Sequence, residues 1–187
     1  VGEKVKAGSV LMIDKNRPEI KFVSPVSGEV TAVNRGEKRK VLSIVVKPDA
    51  QIEYEEFGKK NVASLQGAEV KEVLLNAGMW PFIKQRPYDI VAAPLDTPRD
   101  IFVSAFYSAP LAPNFDFIVK GQEADFQTGL NALAKLTNGK VYVGVRSGSV
   151  VSGMKGVEIV EVEGPHPAAN VGVQINHIKP VNKGEVV

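Results

Sequence analysis

"DKNRPEIKFVSPVSGEV", residues 14–30, sets how the first part of the chain is read. A short β-rich run, "IKFVS", leads into a Ser-Pro-x-x-Gly turn, and "GEV" opens the next run. Asn16-Arg17-Pro18 breaks the chain just upstream, so strand, turn and strand follow at close spacing. The pattern continues on both sides: "VLMID" before it, "GEVTAVN" and "KVLSIVVK" after it, with breaks at Gly8 and Arg35-Gly36. Short strands at this spacing without a helix predict a small β-sandwich or barrel over residues 1–48. "KPDAQIEYEEFGKKN", with Pro48 and many charges, then predicts the start of a linker over residues 49–97.

Beyond residue 60 the period changes. Val70, Val73, Leu74 and Ala77 recur at i, i+3, i+4 and i+7, which predicts a helix over 64–77 with Ser64 as N-cap and Gly78 just past its end. "GMWPFIKQRPYDIVAAPLDTPRD" follows, rich in proline and holding the single tryptophan, and is expected to run extended along a surface. "DIFVSAFYS" reads as a buried parallel strand. Phe126, Leu130, Leu133 and Leu136 or Thr137 place one helical face in "EADFQTGLNALAKLTNGK", ended by Asn138-Gly139, and "KVYVGVRS" and "GVEIVEVEG" add strands. Strand, helix and strand in this order predict a βαβ unit with a right-handed crossover. The fold class is mixed α/β: a β-rich module, then an open, mostly parallel α/β (Rossmann-like) domain over 98–187. "PVNKGEVV" reads as the start of a further strand, and with no initiator Met at residue 1 the chain is expected to be a fragment.

The composition excludes much. Lys and Arg number 23 and Asp and Glu 21 of 187 residues, scattered along the chain, so no nucleic-acid or anionic-membrane partner is indicated; "RGEKRK" reads as a solvated hairpin turn. With no cysteine, this chain offers no disulfide, thiolate nucleophile, zinc ribbon or iron–sulfur ligand. No apolar run approaches the ~20 residues of a membrane span. The loop after "DIFVSAFYS" reads "APLAPNFD", without the glycine fingerprint that lets backbone approach a pyrophosphate, and "GVRSGSVVSG" lacks the close of a Walker loop. His166 in "EGPHPAAN" and His177 in "INHIKP" have no third ligand in view, so no metal site is assigned; His166 reads as part of a rigid turn ahead of a catalytic base. No catalytic set emerges. "WPFIKQRPYD" is left with two readings: Trp80, Phe82 and Tyr88 with the planar cation of Arg86 grip a flat ring such as a quinone, or they anchor an irregular linker.

Six strings in order, "VGEKVKAGSVLMIDK", "FVSPVSGEVTAVNRGEKR", "GMWPFIKQRPYD", "PRDIFVSAFYSAPLAP", "LTNGKVYV" and "GPHPAANVG", cover most of the chain. Together they resemble the A subunits of the bacterial Na+-translocating NADH:quinone oxidoreductases. The resemblance implies a partial biotinyl/lipoyl-like sandwich, followed by a domain similar to the flavin-binding fold of the NADH-oxidising subunit of complex I. It implies a peripheral subunit on the cytoplasmic face of the bacterial inner membrane, docked on the other subunits of a membrane-bound complex. NADH and flavin belong to the whole complex; this fragment is expected to bind no cofactor and to catalyse nothing alone. Quinone is the candidate ligand, with Trp80, Phe82, Ile83, Arg86, Pro87 and Tyr88 as the contact candidates. The loop 106–113, "FYSAPLAP", has neither glycine nor carboxylate where the flavin-binding relatives carry both, so no flavin is expected there.

The sandwich resemblance raises a covalent question at Lys15. In lipoyl modules the modified lysine sits at a hairpin tip about eight residues before the Ser-Pro turn. Here Lys15 lies ten positions before Pro25, Asn16-Arg17-Pro18 widens the loop, and the Met-Lys-Met tip of biotinyl modules is absent. Lys15 is therefore read as an unmodified surface lysine. A carrier module modified on Lys15 and a flavin-binding reductase are the alternative readings.

Overall fold

The computed structural model describes residues 1–187. Its first strands are β1 (Lys4–Val5), β2 (Val10–Ile13), β3 (Lys21–Val23), β4 (Gly28–Arg35) and β5 (Val41–Pro48). β2 and β3 form an antiparallel hairpin, while β1, β4 and β5 form an antiparallel sheet in the order β1-β4-β5. The Ser24–Gly28 turn joins the two sheets, and its chemistry is fully used. Ser24 and Ser27 are both 1% exposed. The Ser24 hydroxyl donates to the carbonyl of Val26, and Ser27 Oγ accepts the N–H of Glu53 at 2.9 Å. Gly28 sits at φ +156, where a Cβ would lie 2.0 Å from the carbonyl oxygen of Lys47, so no other residue fits between β4 and β5.

The chain divides into two compact units, Val1–Lys60 with Lys71–Ile83 and Asn61–Val70 with Lys84–Val187. The segment expected as a linker, 49–97, is thus shared out between them. Residues 49–55 run along the first unit: Ala7 bridges Tyr54 in parallel, and its N–H and carbonyl bond Glu53 and Glu55. The expected helix exists as α1 (Gly67–Asn76), but it begins later than the spacing predicts. Ser64 ends a 3₁₀ turn, Val62–Ser64, capped by the Asn61 side chain, and its own hydroxyl donates to the Asn61 carbonyl. At the far end Gly78 adopts φ +68, with its N–H on Leu75 and that of Met79 on Leu74, the paired bonds of a glycine-stopped helix. The proline-rich stretch is not simply extended: it contains a 3₁₀ turn at Trp80–Phe82 and a small hairpin of β6 (Lys84–Gln85) and β7 (Ile90–Val91).

In the second unit β8 (Ile101–Ser104) leads through α2 (Phe115–Val119) and α3 (Glu123–Ala134) to β9 (Val141–Val145), and β10 (Glu158–Glu161) precedes α4 (Val171–Ile178). The sheet is parallel, in the order β10-β9-β8, with Val103 level with Val143 and Val143 with Ile159. β9 is the central strand, which is why "VYVGV" reads as an almost unbroken apolar run. Val141, Val143 and Val145 pack with Ala105, Val119, Leu130 and Val151 as the core, and the Phe126 and Leu133 of the predicted helical face lie against it. Two helices went unread: α2, capped by the Asn114 side chain, begins in the last two residues of "APLAPNFD" and runs beyond them, and α4 lies in "VGVQINHI".

Residues 180–187 form no strand, contrary to the expectation from "PVNKGEVV". Arg99 holds them instead. Its guanidinium donates to the carbonyls of Lys179 and Pro180 and pairs with Glu185, and its backbone N–H bonds Val186. Asp100, 1% exposed, sits between Arg99 and Lys179, each at 2.7 Å, and also accepts the N–H of Lys140. Burial pushes the Asp100 carboxyl up, but the hydrogen bonds from Lys179, Lys140 and Arg99 and the charge of Lys179 outweigh it and hold the group below its ordinary value.

Candidate functional site

In open parallel sheets, ligands bind beyond the carboxyl ends of the strands, where the loops diverge. At that end of β8 the second unit has a cavity of about 650 Å³. Three segments build its wall. The loop after β8 contributes Phe106, Tyr107, Ser108 and Ala109; the β6–β7 turn contributes Arg86 and Asp89; and the start of α4, with the residues before it, contributes His166, Ala169, Asn170, Val171, Gly172 and Val173.

Each segment is fixed from below. Ser104, the last residue of β8, donates to the carbonyl of Ala169 at 2.8 Å and accepts from the Gln174 amide at 3.0 Å, so strand and helix are stitched by a buried amide. Phe106 is 6% exposed, with the Arg146 guanidinium 5.5 Å from its ring centre, and Arg146 also donates to the Tyr107 carbonyl. Ser108 Oγ accepts the N–H of Ala169 at 3.0 Å and shares a hydrogen bond of 3.2 Å with His166 Nδ1. The β6–β7 turn is tied to the chain end through Arg86 N–H on the carbonyl of Val187, and the Arg86–Pro87 and His166–Pro167 peptides are both cis.

The electrostatics at Arg86 are uneven. Its guanidinium pairs with Asp89 at 3.5 Å, but the Asp89 side chain is 58% exposed. Its Nε is buried and takes no hydrogen bond. Nη1 lies 3.6 Å from where a Cβ on Gly172 would stand, so the cation rests over the first turn of α4.

The six residues singled out in "WPFIKQRPYD" do not share one environment. Trp80, Phe82 and Ile83 belong to the first unit and Arg86, Pro87 and Tyr88 to the second. Trp80 is buried, with the Lys71 ammonium 6.0 Å from its ring centre, whereas Phe82 and Tyr88 are 77% and 76% exposed. Of the six, only Arg86 lines the cavity. The sequence reading missed Ser108 and the start of α4 as its partners, and it took His166 for a turn residue alone. The signal available was "GPHPAANVG", one of the six strings, whose Asn170 directly precedes the helix. Lys15 is exposed in the 14–20 loop, where the Asp14 carboxylate accepts the N–H groups of Asn16 and Arg17. No group of three or more His, Asp or Glu side chains could hold a metal ion, and no helix is long and apolar enough to cross a membrane.

Comparison with known proteins matches both parts of the chain. Residues 1–49 match the family model described as the NqrA N-terminal barrel-sandwich hybrid domain, and residues 65–187 that of the NqrA second alpha/beta domain. Similar proteins include the NqrA chain of the Na(+)-translocating NADH-quinone reductase from Photorhabdus laumondii, 37% identical over 190 residues, which cover 100% of this chain and 42% of that protein. Its counterparts from Serratia proteamaculans and Hahella chejuensis are each 38% identical over 192 residues, covering 100% of this chain and 43% of theirs. The chain therefore spans about two fifths of the length of these relatives.

Proposed function

The chain belongs to the NqrA family, and from that membership we propose that it forms part of the NqrA component of a sodium-translocating NADH–quinone reductase. In this reading it docks on the other subunits of the complex as a peripheral piece on the cytoplasmic face of the membrane, contacts quinone, and performs neither electron transfer nor sodium export alone. The name of the relatives supplies the quinone and the sodium. The second unit is proposed to be similar to the flavin-binding fold of the complex I NADH-oxidising subunit while binding no flavin.

The observation that carries the quinone reading is Arg86: a guanidinium with a buried, unpartnered Nε, on the wall of a cavity and two residues from the exposed ring of Tyr88. A quinone offers two carbonyl acceptors on a flat ring, which a guanidinium and aromatic faces suit. Of the proposed contact set, Arg86, Pro87 and Tyr88 lie in the second unit, with Tyr88 as the exposed aromatic face, and the reading rests on these three. The test is binding of a short-chain soluble quinone to the full-length subunit. The double variant Arg86→Ala, Tyr88→Ala is expected to bind about tenfold more weakly or worse, with its melting temperature preserved. Unchanged affinity removes the site. For the carrier alternative, intact mass after co-expression with a lipoyl or biotin ligase is expected to be that of the unmodified chain; an added arm on Lys15 would replace this reading.

A further inference from the structure

The β4–β5 hairpin is the part of the first unit with the least cover. From Thr31 to Pro48 no residue is buried, although "VLSIVV" in β5 is apolar enough for a core strand. Val33, Val41, Leu42 and Val45 are all exposed, Leu42 by 64%. The side-chain hydrogen bonds of Thr31, Asn34 and Arg35 stay inside the hairpin, on the Val45 carbonyl, Ser43 and the Arg39 carbonyl. Its outer half is therefore an apolar ribbon that the rest of the unit does not cover. Charge gathers on the same ribbon. Arg35, Lys38, Arg39, Lys40 and Lys47 against Glu37 give it +4, where the whole chain has +2. None of the six takes part in an ion pair. At the tip Lys38, with φ 52 and ψ 29, and Arg39, with φ 63, are left-handed in succession, a turn that favours Asn-Gly. Leu42 lies against this tip, its Cδ1 3.1 Å from where a Cβ on Gly36 would stand. Two cations thus occupy a turn that suits neither, beside an exposed leucine.

We propose that the β4–β5 ribbon docks on the surface of an anionic lipid bilayer, with Lys38, Arg39 and Lys40 among the headgroups and Leu42 and Val41 at the boundary with the acyl chains. Charge complementarity selects an anionic surface, and the apolar flank selects the bilayer: an acidic protein surface would answer the cations alone, whereas a lipid interface answers both features. The strained turn fits the same role, since it holds two long cations at the furthest point of the ribbon. The inference adds a lipid contact to the subunit contacts of the proposed function. It stands on the ribbon's own residues and does not depend on that reading.

Co-sedimentation of the full chain with vesicles of phosphatidylcholine alone, and with vesicles one third phosphatidylglycerol, tests the proposal. Partitioning to the anionic vesicles that weakens with added salt is expected, with little to the neutral ones. The double variant Lys38→Asn, Arg39→Gly removes two cations and supplies the residues that the turn favours. It should melt no lower than wild type yet partition about 25-fold more weakly, at roughly fivefold per cation. Leu42→Ser should weaken partitioning several-fold at every salt concentration. Lys59→Gln, Lys60→Gln removes the same charge from exposed positions outside the ribbon and should change little. Absence of binding to the anionic vesicles, equal binding to both kinds, or unchanged partitioning of the Asn-Gly variant overturns the proposal. So does a loss in the Lys59, Lys60 variant as large as that at the tip, which would mean that net charge alone is read. Anionic-vesicle binding that Leu42→Ser leaves unchanged would mean that the ribbon recognises charge only, as on an acidic protein surface, and overturns the lipid assignment.

Discussion

The chain has two proline-containing turns that look alike in sequence and differ in what the structure makes of them. In "SPVSG", residues 24–28, both serines are buried and bonded and the glycine is required by a neighbouring carbonyl. In "RPYD", residues 86–89, the tyrosine points to solvent, the aspartate is exposed, and the arginine keeps a buried nitrogen without an acceptor. The first turn satisfies itself, so it marks the fold. The second leaves hydrogen-bonding capacity over, which is the physical signature expected of a surface that meets something else.

The comparison is tested hardest at Gly28. Gly28→Ala puts a methyl group 2.0 Å from the Lys47 carbonyl oxygen at φ +156, and the clash is with backbone that cannot swing aside. A loss of more than about 3 kcal/mol is expected, read as a collapsed urea midpoint for the first unit. A near-native midpoint would show that β4 and β5 can part at this point, and the first turn would lose its standing as the fixed element.

Asp100 asks the same of the second unit. If its stability rests away from the cavity rim, then breaking the Arg99–Asp100–Lys179 cluster should cost far more than any change at Arg86. Asp100→Asn leaves two cations facing a neutral amide, though both reach water, and about 2–3 kcal/mol is expected. The pH dependence carries a definite sign. The folded carboxyl titrates below its unfolded value of about 3.9, so its contribution is complete above that pH and is lost as pH falls through the lower folded value. The stability gap between wild type and Asp100→Asn should accordingly be constant near neutrality and close only below about pH 4. A gap that closed near pH 6 would point to another group.

A smaller effect is expected at the cap of α2. Asn114 Oδ1 accepts the N–H of Phe117 at 3.2 Å in an exposed setting, and Asn114→Ala should cost about 1 kcal/mol by thermal melting.

How much of this was legible follows the same division. The strands of the first unit, the central strand β9 and the glycine stop of α1 were readable because each is written in local terms: turn residues, an apolar run, a period of 3.6. The start of α1 was misplaced because Ser64 closes a separate 3₁₀ turn capped by Asn61, and the helix starts beyond it at Gly67, where the Glu69 carboxylate accepts the N–H of Gln66. α4 escaped because Gly172 and the β-branched Val171, Val173 and Ile175 weaken a helix signal that Val171, Ile175 and Ile178 otherwise give. The site was half legible. Arg86 stood out by its residue type among aromatics, but Ser108, His166 and the start of α4 reach it from 22, 80 and 85 positions away in sequence. Only the packing of α4 beside β8, through Ser104 and Gln174, brings them together.

The smallest stability change is expected where the largest functional one is. Arg86 is part-exposed, its ion pair with Asp89 is long, and its Nε is already unsatisfied, so Arg86→Gln removes little that the folded state uses. An exposed pair of this kind is worth about 0–1 kcal/mol, and removing a cation from the positive end of α4 works in the opposite direction. The two effects should nearly cancel, leaving the melting temperature within a degree or two while ligand binding falls. A rise in stability would strengthen the view that Arg86 is held in place for a ligand, at some cost to the folded state. A loss approaching that of Asp100→Asn would mean that "RPYD" is as structural as "SPVSG", and the distinction between the two turns would fail at the residue on which it depends most.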